Sequence, residues 1–493
     1  MALSETVFSP ALRRAALLFF ACLFFHAAGS WSLPLIDRDE PRFAEASREM
    51  RERGDYIIPY FNNQRRFDKP PLIYWLQIGS YWLFGENDFA ARFPSMVAAA
   101  LTAVLLFAWG RRVGDERVGW WAAIIFTLCL QVFMHGKAAL ADMWLVCLVT
   151  AAHWAGFELI ADSLGSASSA AVARARKYWR LGFYLALGFA FLAKGPIGLI
   201  PLLTVASTKF FLRDEPLNPR FGFLSGILIT LAIVLAWGVP ALVRSNGEFL
   251  QVGIGHHVFE RTVGTEQAHQ EANSAIIYLV TLPLYFFSVF VSFFPWSIKL
   301  PALVRRLWQR RDGVDHYLIA GIVPLFLILT LAYTKYFHYT LPAFPLLSLL
   351  LARHLPELRA NRFAPRAAVV TLAIFLGTAL FVFPVLARMI PTVQLFKQAR
   401  ADLRPEMQFA NVDYRQPSVV WYFRSRVRGW FQTLGPKRVH RFMNSPGPRF
   451  VIMPTQTAQE LYPTLPQNWK AFTAQGLLPP RAKRLDLTLI LKP

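Results

Sequence analysis

Apolar runs close to twenty residues long, separated by short charged loops, recur along most of this chain. Each is long enough to cross roughly 30 Å of hydrocarbon as a helix. The pattern predicts eleven spans, at 12–31, 88–109, 118–134, 139–160, 179–194, 196–212, 222–244, 275–298, 317–333, 336–352 and 367–387. Very short turns join the pairs on either side of Lys194 and Lys335. The first run, Ala15 to Ala28, follows Arg13 and Arg14 as a signal peptide would. No clear cleavage site follows it, and many spans come after, so it reads as a retained first helix.

Lys and Arg in short loops mark the cytoplasmic side. Arg13, Arg14, Arg111, Arg112 and Arg117 fall on one face, with Arg174, Arg176, Lys177 and Arg180. Lys299, Arg305, Arg306, Arg310 and Arg311 join them, as do Arg353, Arg359, Arg362 and Arg366. A cytoplasmic N-terminus places all of these inside. The external face then holds 32–87, 245–274 and everything after about residue 388.

Residues 37–69 hold eight acids and eight bases. Phe43, Ala46 and Met50 recur at helical spacing between Pro41 and Arg53, and Gly54 follows as a stop. This predicts an amphipathic helix lying on the membrane surface. Residues 70–86, rich in Trp and Tyr, predict a second interfacial segment. After residue 388 the pattern changes: Pro becomes frequent, and short β-prone runs appear at Ser418–Phe423 and Phe450–Met453. The predicted organisation is a membrane domain at 1–388 and a small external α/β domain at 389–493.

Composition sharpens this picture. The chain is 55% hydrophobic and only 17% charged, where a soluble chain carries about 25%. The net charge of +22 first suggests nucleic acid. The bases alternate with membrane spans, however, so anionic lipid is the simpler partner. Cys22, Cys129 and Cys147 all lie in apolar spans and read as small core residues.

The external loop carries three linked motifs. They are Asp39-Glu-Pro-Arg-Phe-Ala-Glu45, Gly54-Asp-Tyr-Ile-Ile-Pro59 and Asp68-Lys-Pro-Pro-Leu-Ile-Tyr-Trp75. Together they resemble the lipid A aminoarabinose transferases and related membrane glycosyltransferases of the GT-C type, along about residues 10–390. The resemblance implies about eleven, and up to thirteen, transmembrane helices. It also implies a polyprenyl-phosphate-linked sugar donor, and a site between the external loops and the bilayer.

Each residue also has a plainer reading. Asp39 reads as a helix N-cap, with Pro41 in the first turn. Asp142, near the external end of span four, reads as an ion-pair partner of Lys137; an acid inside a span is otherwise a functional candidate. The resemblance makes the positions of Asp39 and Asp142 essential for transfer. Asp68, His256 and His257 could hold a divalent metal. The resembled family usually has Glu at the Asp68 position. Arg42, Lys69, Lys194 and Arg261 collect at the external boundary, where they would clamp a phosphate or merely snorkel. Tyr336 and His338 occupy the other short external turn, in a segment like the family's Lys-x-x-His-Tyr-x-Leu-Pro, whose Tyr is implicated in phosphate binding; an aromatic belt is the alternative. Glu40 sits beside Asp39 in the first motif.

The expected activity is inverting transfer of a hexosyl or pentosyl group to a lipid or glycan acceptor at the external leaflet. The expected location is a bacterial cytoplasmic membrane, with the site facing the periplasm. No P-loop or dinucleotide fingerprint calls for a nucleotide. Two rivals share features: a protein O-glycosyltransferase has the same constellation, and a lipid-linked substrate flippase has many spans. The flippase would need no dense charged loop and would show repeats, which the sequence lacks.

Overall fold

The computed structural model describes residues 10–165, 170–253, 255, 278–478 and 483–493. Among the described residues, each predicted span falls mostly on helix. Seven helices among the described residues are long and apolar enough to cross a membrane, and the bent pair Tyr278–Ser292 and Trp296–Gln309 makes eight if taken as one span. The difference from eleven is one of division. Glu116–Thr127 and Leu130–His135 split the run at 118–134; Cys129 leaves the helical region there, and the Leu130 N–H bonds the Phe294 carbonyl at 3.0 Å. The run at 336–352 divides into a 3₁₀ segment, Phe337–Ala343, and the helix Phe344–His354. Conversely, Ala175–Thr208 joins two predicted spans into one length. The chain is a multi-pass membrane protein.

The bundle sorts its charges by end. Asp142 opens the helix Asp142–Ile160, and Glu158 near its far end pairs with Arg112 at 3.1 Å. The same far end collects Arg353 with Asp312 at 2.6 Å and Arg220 with Asp162 at 2.5 Å. The charged loop at 37–69 packs over the opposite end. Its helix, Asp39–Arg53, stops where the sequence predicts, at Gly54 with φ +65°, a left-handed turn that glycine takes without a Cβ penalty. The cap residue is Arg38, and no side chain caps the helix. Asp39 is therefore a first-turn acid and not the N-cap.

This loop helix does not lie bare on a membrane surface. Every residue from Glu40 to Met50 except Arg42 is buried. Phe43, Ala46 and Met50 pack on Ile73, Tyr74 and Ile78 of the helix Leu72–Phe84. The opposite side is covered by the C-terminal part of the chain. Ser418–Phe423, predicted as a strand, is instead helical within Pro417–Arg424. Its β-prone side chains are all buried because the helix is wedged between the sheet and the loop.

That sheet has five strands in the order Phe431–Thr433, Gln408–Asn411, Arg449–Pro454, Lys483–Lys492, Lys470–Leu478. The first three are parallel and are joined by helices; the last two are antiparallel additions. Phe450–Met453 is a strand, as its pattern predicts.

The helix Pro417–Arg424 docks onto the loop through polar contacts as well as apolar packing. Ser418 donates its N–H and Oγ–H to Asp37 at 2.8 and 2.6 Å. Burial pushes the Asp37 carboxyl up to about 6, and these two bonds pull against that. Trp421 Nε1 and the Tyr422 hydroxyl donate to Asp88 at 2.7 and 2.8 Å. Arg48 stacks 3.8 Å over Trp421 and donates to its carbonyl. Arg424 reaches across to Glu45, Glu49 and Glu52. Glu45 is fully buried between Arg48 and Arg424.

Removing one member of a buried pair leaves its partner charged in a poor solvent, at about 3–5 kcal/mol. Arg424→Met should therefore lower the thermal stability of the detergent-solubilised chain by about that much. The exposed Arg400→Met should stay within about 0.5 kcal/mol of wild type. Equal melting curves for the two variants would show that the interface does not depend on this network.

Candidate active site

The site begins with how Lys194 is held. The helix Ala170–Lys194 ends because Gly195-Pro196 follows it, and the residue before a proline is disfavoured in helix. Gly195 turns with φ +78°. Gly198 folds back so closely that a Cβ there would lie 2.4 Å from the Ala190 carbonyl carbon. The turn thus leaves the Lys194 ammonium facing the bundle. It sits 2.5 Å from Asp142 Oδ1 and 4.9 Å from the centre of the Tyr339 ring.

Asp142 is the first residue of its helix and buried. A carboxylate there is favoured by the helix N-terminus. His338 Nε2, from the 3₁₀ segment, lies 3.9 Å from the same oxygen. The His135 ring is 5.2 Å from His338, and its Nδ1 is 2.9 Å from Gln131 Nε2. Sequence reasoning missed His135; its only signal is a histidine closing an apolar run just before Lys137-Ala-Ala-Leu-Ala-Asp142.

Lys69, Asp142, Lys194 and His338 line the polar end of a cavity of about 580 Å³. Apart from Thr334 and Tyr339 the rest of its lining is apolar, with Leu199, Ile200, Leu203, Ile328, Leu329 and Pro342 among it. A group with a charged head and a hydrocarbon tail fits that division.

The other expected residues either do not line this cavity or lie outside the described residues. Asp39 is exposed, 4.0 Å from Arg42 Nη1. Burial, and then the neighbouring Arg66, hold the Arg42 guanidinium below its ordinary value. Asp68 pairs with Arg66 at 2.9 Å, and Arg66 also donates to the Tyr74 hydroxyl at 3.3 Å. Arg66 was not singled out from the sequence, although it is one of two adjacent arginines beside the third motif. Tyr336 is half exposed and stacks on His338, ring centres 5.7 Å apart. Arg261, His256 and His257 lie outside the described residues.

Glu40 does not line this cavity. It is buried and accepts from Arg92 Nε and Nη2 at 2.9 and 2.8 Å. It also accepts the N–H groups of Ile36 and Ala139, both at 2.7 Å. Lys137 does not pair with Asp142. Its ammonium donates to the carbonyls of Phe25, His26 and Ala28 at 2.6, 2.8 and 3.0 Å, closing the C-terminal end of the helix Pro10–Ala27. Those carbonyls lack partners in the helix and carry its negative end.

A metal is harder to seat. His135, Asp142 and His338 offer ligand atoms all within 4.8 Å of one another. The Lys194 ammonium already occupies Asp142 Oδ1, however, and a divalent cation beside it meets like charge. Asp68 is likewise engaged by Arg66. The described residues therefore fit a phosphate better than a metal.

Comparison with known proteins agrees with this geometry. Residues 68–239 match the family described as dolichyl-phosphate-mannose-protein mannosyltransferase. The undecaprenyl phosphate-α-4-amino-4-deoxy-L-arabinose arabinosyl transferase of Edwardsiella ictaluri is 31% identical over 324 residues, 65% of this chain and 55% of that protein. The Aeromonas hydrophila enzyme of the same name is 31% identical over 351 residues, 69% of this chain and 59% of its own length. The chain thus spans little more than half of these relatives. The crystal structure of ArnT from Cupriavidus metallidurans bound to undecaprenyl phosphate superposes with a TM-score of 0.74 at 19% identity, covering 96% of this chain and 97% of that one. The fold is the GT-C fold, and the resemblance read from the loop motifs holds.

If Lys137 serves the helix end alone, Lys137→Met should destabilise the chain by about 1.5–3 kcal/mol while leaving polyprenyl-phosphate affinity unchanged. Thermal unfolding and a lipid-binding titration measure the two. Lost affinity at unchanged stability would give Lys137 a role in the site.

Proposed function

We propose that this chain, similar to the aminoarabinose transferases and built on the GT-C fold, is an inverting glycosyltransferase. It moves one sugar from a polyprenyl-phosphate donor to an acceptor at the external leaflet. The relatives' names suggest 4-amino-4-deoxy-L-arabinose as the sugar and undecaprenyl phosphate as the carrier; lipid A is the acceptor that fits them. The enzyme would work in a bacterial cytoplasmic membrane with its site facing the periplasm. Residues 1–388 would form the catalytic membrane domain and 389–493 its external cover. The observation that carries this reading is the 580 Å³ cavity, with Lys69, Lys194 and Asp142 at one end and hydrocarbon along the rest.

In this mechanism the bond between the anomeric carbon and the phosphate oxygen breaks as the acceptor oxygen bonds to the opposite face of the sugar. The electron pair leaves with the phosphate, which departs as a lipid monoester. Lys69, Lys194 and Arg261, with Arg42 and Tyr336, offset the charge that builds on it. Asp142 orients the Lys194 ammonium. A hydroxyl acceptor gives its proton to Asp39; a phosphate acceptor is already an anion, and Asp39 then positions it. No nucleotide enters this reaction, and no step is routed through a metal at Asp68, His256 and His257.

A second reading has one observation in its favour. The family matched at 68–239 is named for a protein mannosyltransferase, so a protein acceptor would suit the same donor site.

Donor titration with purified enzyme at fixed acceptor tests the reading. Lys69→Met, Lys194→Met and Arg261→Met should each weaken donor use roughly ten- to a hundredfold, since a hydrogen bond to a charged group contributes about 1.5–3 kcal/mol. Arg261→Lys keeps the charge and loses the planar fork, so it should fall between. Asp39→Asn and Asp142→Asn should abolish transfer in folded protein. Unchanged kinetics across the three Met variants would remove the phosphate clamp.

A further inference from the structure

The end of the bundle opposite the cavity carries a second hollow, of about 350 Å³, which the proposed transfer does not use. Three chain reversals meet there: the turn at 113–118, the segment 306–315 and the end of the helix Phe344–His354. Ion pairs fix its walls. Arg353 holds Asp312 at 2.6 Å and also the buried Asp315. Arg306 holds Glu357, and His354 sits 3.1 Å from both Asp315 and Glu357. Every acid of the hollow is thereby engaged. Arg310 and Arg311 line it too, both exposed, and neither has an acidic partner among the described residues.

The neighbouring helix, Leu300–Gln309, turns 111° away from the preceding apolar helix and so lies across the bundle. It turns Leu303 and Leu307 inward and leaves Val304 and Trp308 52% and 82% exposed. Exposed Trp beside Arg at the end of a membrane bundle is the pattern of an interfacial helix. Two spare guanidinium groups thus stand at headgroup depth, next to a bare apolar strip.

We propose that this hollow binds the phosphate of an anionic membrane lipid, with Arg310 and Arg311 on the headgroup and the acyl chains along Val304 and Trp308. A guanidinium suits a phosphodiester by charge and by its fork of donors. A phosphatidylglycerol headgroup brings no cation of its own. A phosphatidylcholine brings a quaternary ammonium that would meet the same arginines, so the site discriminates by charge. Basic pockets between helices on the cytoplasmic side are suited to such headgroups.

Native mass spectrometry of the full chain in detergent, titrated with phosphatidylglycerol, phosphatidylcholine or inorganic phosphate, tests this. Phosphatidylglycerol should be retained in preference to phosphatidylcholine. The double variant Arg310→Gln/Arg311→Gln should lose about tenfold to thirtyfold of that affinity, given roughly 1 kcal/mol per basic residue at a membrane surface. Arg400→Gln, an exposed base outside the hollow, should change nothing. A rise in melting temperature with phosphatidylglycerol, lost in the double variant, would show that both proteins are folded and differ only at the site. Equal retention of the two lipids, or a double variant that binds like wild type, overturns the proposal. Inorganic phosphate binding with the same arginine dependence and no lipid preference overturns the lipid assignment.

Discussion

The buried pair between Glu40 and Arg92 governs the geometry of the loop end. Arg92 is almost wholly enclosed in a membrane helix and turns its remaining donors to the carbonyls of Leu33 and Pro34. Glu40 answers with both oxygens and also binds the Ala139 N–H. One carboxylate therefore joins the start of the loop helix to the segment that leads into Asp142. Asp39 is its neighbour on one side, and Asp142 is three residues beyond Ala139 on the other. A charge taken out of water costs several kcal/mol unless it is fully paired, so this clamp has few alternative arrangements. Both candidate carboxylates inherit their positions from it.

The same constraint recurs through the chain. Lys137 is satisfied by three carbonyls, Lys194 by Asp142, and Arg424 by three glutamates of the loop helix. Among these, only the Lys194–Asp142 pair faces the large cavity. That separates structural charge from the charge available to a phosphate. The helix Pro417–Arg424 has a matching role: by covering Glu45, Arg48 and Asp88 it holds the loop helix against the bundle. Asp37, Glu45, Arg48, Glu49 and Glu52 of the loop thus serve as an interface.

Much of this was legible in the sequence, because hydrocarbon thickness dictates span length and the predicted runs are mostly helical among the described residues. The Gly54 stop and the Phe43, Ala46 and Met50 stripe were legible for the same reason, being local and periodic. What the sequence hid depends on partners far along the chain. Ser418–Phe423 has strand propensity, but its contacts with Asp37, Arg48 and Asp88 come from residues more than three hundred positions away. Lys137 is five residues from Asp142, so pairing was the natural local expectation; the carbonyls that hold it belong to the first helix. Glu40 looked like a site residue because it adjoins Asp39, and its bond to Arg92 has no sequence signal. Arg66 and His135 were missed because each gains meaning only from a neighbour across the fold: Arg66 beneath Phe43 and His135 beside His338.

The proposed site for the lipid-phosphate donor is a cavity lined by Lys69 and Lys194 together with many apolar side chains. Transfer from such a donor, with Asp142 and Lys194 at the reacting end, is the central claim. Mass spectrometry of lipid A from cells carrying the wild-type gene, no gene, or the Asp142→Asn variant tests it most directly. The account predicts aminoarabinose-modified lipid A only with the wild-type chain, and Asp142→Asn protein present in the membrane without it. Lipid A modified equally in all three strains, or modified by the Asp142→Asn protein as by wild type, would contradict it.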